Sequence, residues 1–208
     1  MSEYWKNRFK NKEMIWGTEP SKTAIAAKEI FQHQKIKDIL IPGGGYGRNT
    51  KVFSDAQFNV DTIELSEEAI GLGKQWDERA NFIQGSVLDM PLTDKKYEGI
   101  YCYNILHLFL KEDRKIFIQK CYKQLKQDGL IFFTFFSEQD ESLGRGEMIE
   151  YNTFEDENGK IVHYFTEKDT KIHFENFTII KIGEIEDKII THDIGERICK
   201  LRYILAKK

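Results

Sequence analysis

An apolar run that ends in a proline and then a cluster of glycines leaves a chain few options. Residues 36–41 (IKDILI) read as a short strand, and they lead into Pro42-Gly43-Gly44-Gly45-Tyr46-Gly47. The glycines at 43, 45 and 47 form a G-x-G-x-G spacing. Without a Cβ, such backbone can lie directly against a ligand. The segment 49–56 reads as a short helix, whose first N–H groups have no intrahelical partner and favour a polar or anionic ligand. Strand, glycine turn and helix make a βα unit whose ligand site lies at the strand's carboxyl end.

The alternation continues. Residues 58–64 (FNVDTIE) are rich enough in β-branched residues for a second strand. It ends in an acid, Glu64, seventeen positions after Gly47. Ser66 is a helix cap with Glu67 and Glu68 in the first turn, where the helix dipole favours them, and the spacing predicts a helix to about Arg79. Short strands follow at 82–84 and 99–103. Phe117, Cys121 and Leu125 recur at four-residue steps in a helix over 111–127, predicted to stop at Asp128-Gly129 with Gly129 in the C′ position. Residues 130–137 are apolar enough for a central strand covered on both faces. Alternation of this kind predicts a parallel sheet with helices on both sides.

Past residue 138 the rhythm changes. Residues 138–158 are polar with glycines and read as a long excursion. Thr166 and Asp169 suggest a capping box for a helix to about Asn176. Two strands, 177–186 and 198–206, have no helix between them and should pair antiparallel. The expected fold is α/β, a doubly wound, mostly parallel sheet with a C-terminal antiparallel strand pair. Residues 1–208 read as one domain: a leader (1–35), a core (36–137) and a substrate-side excursion with the last strands (138–208).

A carboxylate at Glu64 can accept ribose hydroxyls, and with the glycine turn it points to an adenosine-type nucleotide. A dinucleotide site usually has G-x-G-x-x-G and a second mononucleotide-binding half; this chain shows neither. A nicotinamide-dependent oxidoreductase therefore stands as the alternative, with a non-catalytic nucleotide-binding module as a second. Charge argues against nucleic acid: 31 Lys and Arg against 34 Asp and Glu give a net charge of −3.

With these residues in view the chain resembles class I S-adenosylmethionine-dependent methyltransferases. Residues 41–47 resemble the first motif of that superfamily, 62–66 (TIELS) the acidic second, 85–92 (GSVLDMPL) the third, 97–107 (YEGIYCYNILH) the fourth and 125–133 (LKQDGLIFF) the strand after the next helix. The leader, Tyr4-Trp5-Lys6-Asn7-Arg8-Phe9 and Trp16-Gly17-Thr18-Glu19-Pro20-Ser21, is similar to that of the tellurite-resistance and thiopurine-methyltransferase-like group. So are 144–146, 152–154 and 164–167. Two positions depart: Ile41 is apolar where many members carry an acid, and Ser86 stands where Asp is usual.

The resemblance implies a Rossmann-like seven-stranded methyltransferase fold, S-adenosyl-L-methionine as cofactor, and in-line transfer of a methyl group to a small acceptor such as a thiol or a metalloid oxyanion. It places Gly43, Gly44, Gly45 and Gly47 along the methionine and ribose, Glu64 and Leu65 at the ribose, and Ser86 and Val87 at the adenine edge. Asp89 could help there or cap the loop. Tyr103 and Asn104 would touch the amino-acid end. Trp5, Arg8 and Trp16 either face the sulfonium and its carboxylate or pack the leader on the sheet. His107 is a candidate general base or a pocket histidine; Arg145, His192 and Arg197 are candidates for the acceptor side. His163 and His173 read as strand and helix residues, with no metal-ligand pattern among the five histidines.

Three cysteines, Cys102, Cys121 and Cys199, are odd in number and widely spaced, which suits a reducing compartment. The first residues lack the apolar core of a signal peptide, and the strongest apolar run, 130–136, is too short for a membrane helix. A cytoplasmic monomer or homodimer is the expectation, without nucleic-acid or membrane partners.

Overall fold

The computed structural model describes residue 9 and residues 14–90, 94–191 and 195–208. The elements in order are α1 (Lys22–His33), β1 (Asp38–Pro42), α2 (Thr50–Asp55), β2 (Asn59–Glu64), α3 (Glu67–Trp76), β3 (Asn81–Gln84), β4 (Tyr97–Tyr103), a 3₁₀ turn (Leu106–Leu108), α4 (Lys111–Gln124) and β5 (Leu125–Phe136). They continue with β6 (Glu147–Glu150), β7 (Thr153–Glu155), β8 (Ile161–His163), α5 (Glu167–His173), β9 (Thr178–Thr191) and β10 (Gly195–Lys207).

Side chains set the helix starts. Ser21 Oγ accepts the N–H of Ala24 at 3.1 Å, Ser66 Oγ that of Ala69 at 3.2 Å and Thr166 Oγ1 that of Asp169 at 2.9 Å. The main sheet runs β3-β2-β1-β4-β5-β10-β9. β1 to β5 are parallel; β10 pairs antiparallel with both β5 and β9. The strand order reverses between β1 and β4, so their carboxyl ends open the crevice in which ligands of such sheets bind. Pleating sorts the core. On β5, Ile131, Phe133 and Phe135 join a cluster with Phe117 and Phe174, while Leu130 and Phe132 face Phe31, Phe53 and Tyr101 on the other side. β6, β7 and β8 form a separate antiparallel sheet.

Several boundaries differ from the sequence reading. The α4 helix ends at Gln124, not at Asp128-Gly129: Leu125 is already extended, and its N–H closes onto Cys121 O. Asp128, not Gly129, takes the positive φ of 66°. A Cβ on Gly129 would come within 2.8 Å of Leu125 Cγ and 3.0 Å of Glu98 O, so the glycine serves close packing. The α3 helix stops at Trp76 because Asp77 turns inward, its carboxylate accepting from Ser54 Oγ at 2.7 Å. α5 is shorter than expected, and β9 and β10 are longer. The polar excursion over 138–158 contains β6 and β7.

Asp61 on β2 shows how a buried charge is held. It accepts from Lys95 Nζ at 2.6 Å, Tyr97 Oη at 2.6 Å and Asn81 Nδ2 at 3.0 Å. Burial pushes its pKa up, but the three hydrogen bonds outweigh that and the carboxyl sits below 3.8. A lowered carboxyl contributes stability that is present above the unfolded value and lost as pH falls through the folded one. Asp61→Asn is expected to cost roughly 1–3 kcal/mol of folding free energy at neutral pH, and the difference from wild type should shrink as urea unfolding is repeated below pH 3.8.

Candidate functional site

The turn after β1 is built by its glycines and by Glu64. Gly43 and Gly45 have φ of 70° and 57°, which residues with a Cβ adopt at a cost. Gly43 N donates to Ile63 O at 2.7 Å, which ties the turn to β2. At the end of β2, Glu64 accepts three backbone N–H groups: Gly45 on Oε2 at 2.8 Å, and Leu65 and Ser66 on Oε1 at 2.8 and 2.9 Å. A carboxylate offers about four lone-pair sites, so Oε2 retains one for a ligand hydroxyl. The residue is only 8% exposed. Burial pushes its pKa above 4.5, with the three N–H groups pulling the other way.

A cleft of about 600 Å³ opens over this turn, within the size range of small-molecule sites. Its lining brings together Trp16, Gly43, Gly44, Gly45, Glu64, Leu65, Ser86, Val87, Tyr103, Asn104 and His107 from the sequence reading. Gly47 is not among the lining residues; its φ is 85°, and a Cβ there would lie 3.0 Å from Phe82. Asp89 is also outside the lining. Ser86 Oγ accepts the Leu88 N–H at 3.1 Å and shapes its loop. Trp5 and Arg8 lie outside the described residues, as does His192.

Tyr46, inside the glycine motif, fastens the leader. Its hydroxyl donates to Gly17 O at 2.6 Å and accepts the Trp16 N–H at 3.0 Å, and the Trp16 ring stacks on it at 5.9 Å. Trp16 thereby sits 3.5 Å from where a Gly45 Cβ would be. Asn49 Oδ1 accepts the Ser21 N–H at 2.9 Å, and the Arg48 guanidinium lies 5.5 Å from the Tyr103 ring centre. These contacts close the turn under residues 16–21. The glycine spacing does not mark Tyr46, Arg48 and Asn49, although each lies inside or directly after the motif. Tyr46→Phe is expected to free the Gly17 carbonyl and the Trp16 N–H, seen as faster amide exchange over 14–21.

At the end of β4, Asn104 takes a φ of 55° and its Oδ1 accepts from Thr134 Oγ1 at 3.3 Å. Its Nδ2 is buried on the cleft wall without a hydrogen-bond partner. Such a donor costs free energy until a ligand oxygen meets it. His107, only 2% exposed, packs its ring edge-on to Phe136 at 4.7 Å, and its Nδ1 has no partner. Burial, with the charge of Lys160, drives its pKa well below 6.5, so the ring is neutral. The far end of the cleft is walled by Phe136, Phe154, Val162 and Tyr164, with Arg145 and Arg197 beside them. Arg197 is tied to Asp140 at 2.5 Å; Arg145 is exposed on the rim. No group of metal-ligating side chains is found among the described residues.

Residues 40–133 match the model of a protein family described as a methyltransferase domain. The chain is 26% identical over 124 residues to the phosphoethanolamine N-methyltransferase of Plasmodium falciparum, a match that takes in 57% of this chain and 45% of that protein, so the chain spans less than half of that relative. Among solved structures it is similar to 1,6-didemethyltoxoflavin-N1-methyltransferase of Burkholderia thailandensis, with a TM-score of 0.72 and 17% identity over 100% of this chain and 86% of that one. It is also similar to TehB of Haemophilus influenzae, with a TM-score of 0.68 and 14% identity over 100% of this chain and 66% of the other. The fold is the Rossmann-like methyltransferase fold, with its C-terminal antiparallel strand pair. No helix among the described residues is long and apolar enough to cross a membrane.

Proposed function

We propose that the chain is an S-adenosylmethionine-dependent methyltransferase acting on a small molecule, a thiol or a metalloid oxyanion among the candidates. The observation that carries the reading is Glu64: a buried carboxylate, locked by three backbone N–H groups onto the glycine turn, with acceptor capacity left on the cleft side. The cofactor fits the residues present. Glu64 would hold ribose hydroxyls, Ser86 and Val87 the adenine edge, and the unpartnered Asn104 Nδ2 an oxygen at the amino-acid end. The matched domain over 40–133 and the relatives' names support the same reading. When bound, the cofactor supplies an electrophilic methyl group on a cationic sulfur.

The protein's share is alignment and exclusion of water. Trp16 and the residues tied to Tyr46 cover the turn. Phe136, Phe154 and Tyr164 give the far end an apolar wall, beside the polar Arg145 and Arg197. His107 stands on that wall as a neutral ring with an unpartnered nitrogen, suited to hydrogen-bond an acceptor rather than to carry charge. A soft anionic acceptor needs no base at all.

Calorimetry with S-adenosylmethionine and with NADH tests the reading: the first should bind and the second should not. Labelled methyl transfer to a panel of thiols, metalloid oxyanions and phenols then identifies the acceptor. Binding of NADH alone would make the chain an oxidoreductase, and tight cofactor binding with no transfer to any member would favour a binding module. His107→Ala should leave S-adenosylhomocysteine affinity unchanged, because the ring lies on the acceptor side.

A further inference from the structure

Behind the acceptor end of the cleft lies a chain of polar groups, buried except at the partly exposed Asp169, that the proposed reaction does not touch. Strand alternation separates the two faces of the small sheet. Phe154 and Val162, paired across β7 and β8, look into the cleft; their neighbours Thr153 and His163, also paired, point away from it and are fully buried. His163 Nδ1 lies 2.8 Å from Thr153 Oγ1, and His163 Nε2 lies 2.5 Å from Asp169 Oδ2 on α5. His173 Nδ1 lies 2.9 Å from the backbone O of Asp169 and 3.0 Å from its other carboxylate oxygen. Arg114 of α4 donates from Nε to His173 Nε2 at 3.1 Å and from Nη1 to Phe109 O at 2.6 Å. Phe109 is itself on the cleft wall.

The hydrogens can be placed from donors and acceptors alone. Arg114 has no acceptor, so His173 Nε2 accepts and the ring's hydrogen is on Nδ1, shared between the backbone O and the carboxylate of Asp169. Asp169 is a carboxylate, so His163 donates from Nε2 and accepts from the Thr153 hydroxyl on Nδ1. Every member is satisfied with both rings neutral. Burial would raise the Asp169 pKa, but the two histidine hydrogen bonds outweigh it and hold the carboxyl well below its ordinary range. One further proton can enter without opposing two donors: on His163 Nδ1, if the Thr153 hydroxyl turns to Tyr151 O, 3.2 Å away.

We propose that Asp169 is a positioning residue for methyl transfer: through His163 it fixes the β7–β8 wall of the acceptor pocket, and through His173 and Arg114 it locks that wall to the Phe109 side. This rests on the reading that the far end of the cleft receives the acceptor. The same geometry makes the wall pH-sensitive. The groups facing His163 are Asp169 and His173 on α5, Arg114 on α4, Thr153 on β7 and, within electrostatic reach, His107 on the 3₁₀ turn, with the Phe165 ring against its edge at 4.5 Å. Burial lowers the His163 pKa below 6.5, against the pull of Asp169. A lowered histidine contributes stability that is present above the unfolded value and lost as pH falls through the folded one. The wall is therefore fixed at neutral pH and loosens on acidification.

The test uses the full chain saturated with S-adenosylhomocysteine. Nitrogen-15 spectra of labelled histidines should show His163 with its hydrogen on Nε2 and His173 with its hydrogen on Nδ1. In Asp169→Asn, amide exchange over 147–164 should accelerate by about tenfold or more while exchange in β4 is unchanged, and the Kd for S-adenosylhomocysteine should stay within about twofold. His163→Gln keeps a donor for Asp169 but cannot be protonated; it should retain wild-type protection at neutral pH and lose the acid-induced opening that wild type shows, corrected for intrinsic exchange. Opposite tautomers, unchanged exchange in Asp169→Asn, exchange rising equally in β4, or acid-induced opening that persists in His163→Gln would each overturn the proposal. Failure of wild type to bind S-adenosylhomocysteine would instead strike the cofactor reading, since tautomers and exchange can be read without it.

Discussion

Glu64→Ala should weaken binding of S-adenosylhomocysteine by roughly 1–3 kcal/mol, about five- to 150-fold in Kd. Two losses combine. A ligand hydroxyl loses a charged acceptor, and the N–H groups of Gly45, Leu65 and Ser66 lose the carboxylate that orders them. Glu64→Gln removes the charge. Its amide nitrogen must face a backbone N–H on one side, so the turn is disturbed, yet the volume is kept. The pH dependence gives an independent check. Burial raises the Glu64 pKa above 4.5 in the free protein, and a ribose hydroxyl is accepted by the ionised form. Affinity should fall as pH is lowered through that raised value, and Glu64→Gln should abolish this dependence. Calorimetry across the pH range measures both.

The second large effect is expected at Gly44. A Cβ there would lie 2.0 Å from Thr62 Oγ1 and 3.1 Å from Thr50 Oγ1. The Thr62 hydroxyl is fully buried and donates to Ile41 O at 2.9 Å, in the strand that carries the turn. Gly44→Ala must therefore push β2 from β1 where the glycine turn begins. Overpacking of this kind costs roughly 1–3 kcal/mol, and cofactor binding should be lost beyond what the stability change accounts for. Gly71→Ala on α3 provides the contrast. Nothing lies within 4 Å of its Cβ position, so it should stabilise the protein by about 0.5–1 kcal/mol through helix propensity. Urea unfolding of the two variants should move in opposite directions.

The parts that were legible in the sequence are those in which neighbours along the chain decide the structure. Gly43 to Gly45 declare a turn, Ser66 with Glu67 and Glu68 declares a helix start, and Glu64 ends a strand whose position follows from the alternation. The misreadings have a common physical origin. Asp128-Gly129 looks like a helix stop, but the pairing of Leu125 with Tyr97 across the sheet draws the chain into β5 five residues before the expected start at 130. The spacing marks Gly47 as part of the turn but not that Phe82, thirty-five positions on, packs where its Cβ would be. β6, β7 and β8 are three or four residues long and partly polar, so no apolar periodicity marks them. Asp140 and Arg197, or Arg114 and His173, meet only because the sheet brings distant segments together. Tyr46 was legible in place but not in role, since its partners Trp16 and Gly17 come from the leader.

In the proposed function Glu64 and the glycine turn hold the ribose of a nucleoside whose sulfur lies toward the cleft end walled by His107, Phe136 and Tyr164. A crystal structure with S-adenosylhomocysteine tests it most directly. A ribose hydroxyl is expected within hydrogen-bond distance of Glu64 Oε2, with adenine against Ser86 and Val87 and the sulfur directed at the Phe136 side. A ligand bound elsewhere, or a Glu64 carboxylate turned away from the ribose, would contradict it.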